Sequence, residues 1–185
     1  MVNYSATFAI SFLMSIYLQS VLGLSSREAG LVMLIQPIVM AVLSPTAGKL
    51  SDRHSPTRIA TVGMAITALG ILGLVAVVHL ESLWLVVPVV VIIGIGFALF
   101  SAPNNNAIMG AVPKRYYSLA TSMIGTVRLV GQVISVAIVT MVLSLDWNWL
   151  PQLEGLVRNI EISFIVFTLL CLIGILPSVA RGTEQ

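Results

Sequence analysis

Arg128 is the charged residue that stands deepest inside a long apolar run of this 185-residue chain. Around it Ser118, Thr121, Ser122, Gly125, Gln132 and Ser135 recur every three or four positions, which at helical periodicity makes one polar, small-residue stripe. Arg128 lies some ten residues into the run, about 15 Å along a helix that rises about 1.5 Å per residue. A charge held at that depth is expensive, and it is retained for function, for a partner or for contact with water. The stripe is therefore expected to line a polar cavity through Ser122, Gly125, Arg128 and Gln132. The competing reading has Arg128 bonding backbone carbonyls or snorkelling to lipid head groups. Gln36, just before Pro37 in the middle of another apolar run, either lines such a cavity or bridges two helices, and Pro37 is expected to kink its helix. Gln19, nearer the end of its run, reads as structural.

A second concentration of chemistry is the polar run Gly48-Lys49-Leu50-Ser51-Asp52-Arg53-His54-Ser55-Pro56-Thr57-Arg58 between two apolar stretches. It reads as a short, tightly built loop at a bilayer surface. Gly48 would let one helix end close against a neighbour. Asp52, just ahead of the next helix, would satisfy free amides at its positive end. Arg53 and Arg58 would reach carboxylates or lipid phosphates. Asn104, Asn105 and Asn106, after Pro103, suit the last free carbonyls of a helix.

Bond-making chemistry finds no support. The two histidines, His54 and His79, fall on opposite faces of the membrane, Cys171 is alone in an apolar stretch, and no serine–histidine–acid set can assemble. None of the glycines opens a phosphate loop, because no Gly-Lys-Ser/Thr follows. Neither an enzyme, a metal site nor a cofactor is expected.

The elements that must position these residues follow from composition. Hydrophobic residues make up 58% of the chain and charged residues 9%, with mean hydropathy +1.04. A soluble surface needs roughly a quarter charged residues, so the chain reads as an integral membrane protein. Its net charge of +2 belongs to loop lysines and arginines and does not point to nucleic acid. There is no signal peptide with a basic start and a small-residue cleavage site. Six stretches reach the roughly 20 apolar residues that a crossing helix needs: 5–23, 29–47, 59–78, 83–102, 119–145 and 162–179. Uninterrupted apolar runs exclude the alternation of a membrane β-barrel, so the fold is expected to be all-α, one six-helix bundle over residues 1–185.

With both termini cytoplasmic, the inner side holds Lys49, Arg53, Arg58, Lys114, Arg115 and Arg181, and the outer side only Arg27 and Arg158 among the basic residues. Trp84, Trp147 and Trp149 then gather near the outer interface. Asn3-Tyr4-Ser5 matches a glycosylation triplet but abuts a span on the inner side. Gly94, Ala98 and Ala102, spaced by four, permit close helix approach.

Three stretches resemble the second six-helix half of a major facilitator superfamily transporter, and most of all the drug/proton antiporters with fourteen helices. They are Tyr17-Leu18-Gln19-Ser20-Val21-Leu22-Gly23 with Ala29-Gly30-Leu31, the run from Ser44-Pro45-Thr46-Ala47-Gly48 to Asp52-Arg53, and Pro103-Asn104 to Val112-Pro113 with Arg128 and Gly131. Ser55 and Ser118 stand where the family pattern usually has glycine. The resemblance implies a 3+3 half-bundle forming one wall of a central cavity, and transport by two bundles rocking about a midplane site. It implies a small amphipathic organic substrate exchanged for protons, and a polar run 48–58 that helps hold one conformational state.

The first bundle of that family is not part of this sequence, and all seven carboxylates fall in loops, at span edges or in the tail. The chain is thus expected to sit in the cell (plasma) membrane and to need a second six-helix bundle, either a separate chain or another copy of itself. The rival from another class is a non-transporting, truncated or accessory helix bundle. A membrane enzyme is a distant third.

Overall fold

The structure, a computed structural model, describes residues 2–147 and 150–182. All its regular elements are helical, as expected. Helix α1 (Val2–Ile16) ends in a π-helical turn at Tyr17–Val21, and Gly23, with φ +66°, lets the chain reverse. Ser25 then opens α2 (Ser26–Met33) with a reciprocal capping box to Glu28. After Leu34 the same span continues as α3 (Ile35–Arg53). The interruption has a local cause. Pro37 has no N–H to offer the Met33 carbonyl and its ring crowds that carbonyl, so the helix gives way one turn before the proline.

The remaining helices are α4 (Pro56–Val78), α5 (Leu83–Gly110), α6 (Tyr117–Leu143), entered through a single 3₁₀ turn at Lys114–Tyr116, and α7 (Gln152–Gly182). Counting α2 and α3 as one, six stretches are long and apolar enough to cross a membrane.

Helices α4 and α5 form the closest pair because glycines remove the side chains between them. A Cβ on Gly63 would lie 2.5 Å from the Phe100 backbone nitrogen, and one on Gly96 would lie 2.6 Å from that of Thr67. Backbone-to-backbone approach of this kind is how apolar helices gain packing where no hydrophobic drive separates lipid from protein. Gly94 turns instead to α3, where a Cβ would meet Val39 at 3.0 Å.

Helix α7 covers the other side of α4, and α1 closes against α7. Toward the C-terminal end of α1, Ile10, Leu13 and Tyr17 interlock with Ile71, Leu74, Ile93, Phe164 and Phe167. The Tyr17 hydroxyl donates to the Val78 carbonyl at 3.3 Å. A smaller cluster of Tyr4, Ala60, Met64, Phe97 and Phe100 fills the end where α1 begins.

Helix α6 is the outlier. It touches α1 and α7 but barely α5, and its contact stripe is Gly131, Ser135 and Val139. The first turns of α1 meet it at mid-length, where the Ser5 hydroxyl donates to the Gly131 carbonyl at 2.8 Å. Residues 121–130 are consequently exposed, with only Ile124 half-buried.

Candidate functional site

Arg128 is eleven residues beyond the start of α6 at Tyr117 and fifteen before its end at Leu143. Its guanidinium carbon lies 4.8 Å from the centroid of the Tyr4 ring, a cation–π contact between α6 and α1. Tyr4 is held in turn by an edge-on contact to Phe100 at 5.7 Å between centroids. Arg128 makes no ion pair or hydrogen bond among the described residues. The guanidinium therefore bonds no backbone carbonyl among the described residues; it lies over an aromatic face.

The rest of the stripe divides. Ser122 and Gly125 share the exposed N-terminal half of α6 with Arg128, and Gln132, one turn on, is half-buried. Ser135 does not belong to that open face: it is fully buried against the bundle and its hydroxyl has no partner. The hydroxyls of Thr121, Ser122 and Thr126 bond back to carbonyls four residues earlier on the same helix. Gln36 stands apart, in a small cleft between α1, α3 and α5 with Ser11, Met14 and Val90, which has room for about one water at 20 Å³. Gln19 is used locally, donating to Ser15 and accepting from Ser26.

The polar run is not the tight loop expected. Residues 48–53 are the last turns of α3, and only His54 and Ser55 break the helix before Pro56 starts α4. Proline at the first helical position explains the sharp restart. Asp52 faces solvent on α3 and does not cap α4, whose N-cap Ser55 makes no side-chain bond either. A Cβ on Gly48 or on Gly125 would meet nothing within 4 Å, so neither glycine serves a close approach in this structure. Arg53 sits in the last turn of α3, where the helix end favours a cation. Asp52, Arg53 and Arg58 are exposed and form no ion pair among the described residues.

The asparagines are also not helix-end caps, because α5 runs on to Gly110 through Pro103. Asn106 instead donates to the Ser51 hydroxyl at 2.7 Å, and Ser51 bonds the Gly48 carbonyl. This ties the end of α3 to α5.

Two groups escape a reading of the sequence alone. Asn3 is 2% exposed with both amide atoms unpaired, and the buried Tyr4 hydroxyl is also unpaired. Two turns into α7, Asn159 accepts from the Trp147 indole at 2.8 Å and donates to the Leu145 carbonyl at 3.1 Å, while Arg158 covers the Trp147 ring at 4.7 Å. Trp84, at the start of α5, is 86% exposed. Trp149 lies outside the described residues. Beside the indole group His79 and Glu161 pair at 3.1 Å across α4 and α7, at the rim of a hollow of about 320 Å³.

The family model described as Major Facilitator Superfamily matches residues 1–183. The chain belongs to that superfamily. Similar proteins include the riboflavin transporter RibZ of Clostridioides difficile, 34% identical over 68% of this chain and 27% of the relative. The lincomycin resistance protein LmrB of Listeria monocytogenes is 24% identical over 96% of this chain and 40% of its own length. The multidrug resistance protein Stp of Mycobacterium tuberculosis is 29% identical over 84% and 29%. The chain thus spans between about a quarter and two fifths of these relatives. No solved structure matches.

Proposed function

We propose that residues 1–185 form the second six-helix half of a secondary transporter that exchanges an amphipathic organic compound for protons in the cell membrane, with both termini cytoplasmic. The half works against a second bundle, a separate chain or another copy of this one. The observation that carries this reading is the exposed inner half of α6. An outward face holding Ser118, Thr121, Ser122, Thr126 and Arg128 is ill-suited to lipid, whereas it suits a water-filled cavity or a facing bundle. In this reading Arg128, Gln132, Gln36, Ser122 and Gly125 line the transport cavity, and Gly48, Asp52, Arg53 and Arg58 hold one conformational state at the inner surface.

Relatives named as a riboflavin transporter and as multidrug and lincomycin resistance proteins support an organic substrate. The test is efflux from a susceptible host expressing this chain alone, then together with a first six-helix bundle of the same family. Efflux that appears only with the second bundle supports the reading. Efflux by a strictly monomeric chain overturns the need for a partner, and none in either case overturns transport.

A further inference from the structure

The mid-depth charge of this bundle has one sign. Arg128 holds a full positive charge half-way along α6, and no carboxylate of the described residues stands near that level. Glu28 is in the first turn of α2, Asp52 in the last turns of α3, Glu81 in the turn before α5, Asp146 in the α6–α7 connection, and Glu154 and Glu161 on the outer turns of α7. Tyr4 offsets part of the charge through its ring face, but a ring accepts none of the five guanidinium N–H groups in a directed bond. The Tyr4 hydroxyl is buried and open to no ligand. Gln132, one turn along α6 from Arg128, is half-buried and makes no hydrogen bond among the described residues.

An exposed helix face that bears a cation and, among the described residues, lacks a neutralising acid is complementary to an oxyanion. The planar guanidinium binds a carboxylate or sulfonate in two parallel hydrogen bonds, while the buried Tyr4 ring holds it in place from behind. A lipophilic cation meets the opposite situation, a like charge in a medium of low dielectric constant.

We infer that Arg128, held in place by the Tyr4 ring, is the recognition point for an organic compound carrying a carboxylate or other oxyanion, and that this chain discriminates against organic cations. The inference rests on the transport reading for its physiological meaning, but binding tests it separately. The purified full chain in phosphatidylcholine nanodiscs is titrated with fluorescein, a planar dianion, and with ethidium, a planar cation, and anisotropy is read. Fluorescein is expected to bind at least tenfold more tightly than ethidium. Arg128→Gln is expected to lower fluorescein affinity at least tenfold and to leave ethidium equal or stronger. Arg128→Lys keeps the charge, removes the bidentate geometry and is expected to fall between. Arg115→Gln, which removes a surface cation lying 4.6 Å over Tyr116, is expected to change neither and controls for net charge.

Equal affinity for the two dyes, preference for ethidium, or fluorescein binding indifferent to both Arg128 variants would overturn the inference. An anion preference that disappears once a second bundle is added would also overturn it, by showing that a facing carboxylate neutralises Arg128. Efflux of the same dyes from cells then separates the two readings. Ethidium efflux without fluorescein efflux leaves transport standing and removes the anion. Arg128-dependent fluorescein binding without efflux of either dye leaves the anion standing and removes transport.

Discussion

The Ser5 hydroxyl donates to the Gly131 carbonyl at 2.8 Å, joining positions 126 residues apart. The bond fixes the register of α1 on α6 and so decides which residue lies beside Tyr4. One turn of α6 back from Gly131 brings Arg128 to the Tyr4 ring. Ser5→Ala is expected to cost about 0.6 kcal/mol, the average for an interhelical bond in a membrane protein, and no more than about 1.7 kcal/mol. Unfolding of the purified chain in mixed micelles measures it, and Tyr4→Leu with Ser5→Ala should be less than additive because both act on one contact.

Glycine substitutions should separate by what stands opposite them. Gly96→Ala places a methyl 2.6 Å from the Thr67 backbone nitrogen, and overpacking against backbone costs about 1–3 kcal/mol. Gly63→Ala should behave alike. Gly125→Ala and Gly48→Ala meet open space and are expected to stay within about 0.5 kcal/mol of the parent. Thermal unfolding of the four variants in one detergent checks the ordering.

The bond from Asn106 to Ser51 is expected to govern the inner end of α3. With Ser51→Ala the Asn106 amide loses its acceptor and the last turns of α3 lose their tie to α5. Amide hydrogen exchange of residues 50–54 should quicken, by several-fold, while the centre of α4 stays protected.

Asn159 organises the outer connection through the indole of Trp147 and the Leu145 carbonyl. Asn159→Leu leaves these groups unpaired at about 1–3 kcal/mol, and fluorescence of a chain retaining Trp147 as its only tryptophan should shift to the red as the ring loosens. By contrast, His79→Ala removes a side chain that is 56% exposed and lies 3.1 Å from Glu161, and is expected to cost less than about 1 kcal/mol.

The six spans were legible because a bilayer imposes a length and a polarity on every crossing segment, and loops short enough to be counted follow from that. Arg128 was legible for the same reason, as a charge where apolar residues surround it. Asn3 and Tyr4 were not, because a polar residue near a span edge looks solvated until α4, α5 and α6 are seen to close over it. The run 48–58 misled because Gly, Ser, Asp and Pro favour turns locally, yet residues 48–53 keep their helix. Ser51 folds back on the Gly48 carbonyl and is pinned by Asn106, which overrides the local preference. The extension of α7 back to Gln152 was hidden by Glu154, Arg158 and Glu161, charges that a helix carries readily once it projects beyond the apolar layer.

The hydroxyls of Thr121, Ser122 and Thr126 are already committed to carbonyls of their own helix. A neighbour passing along this stretch of α6 therefore finds a wall that is wettable by composition yet asks for no new hydrogen bonds. Contacts can form and separate there without a polar group being stranded at any intermediate position. In the transport reading proposed above, this half of α6 would serve as a low-friction bearing surface, with Arg128 as a fixed detent along it.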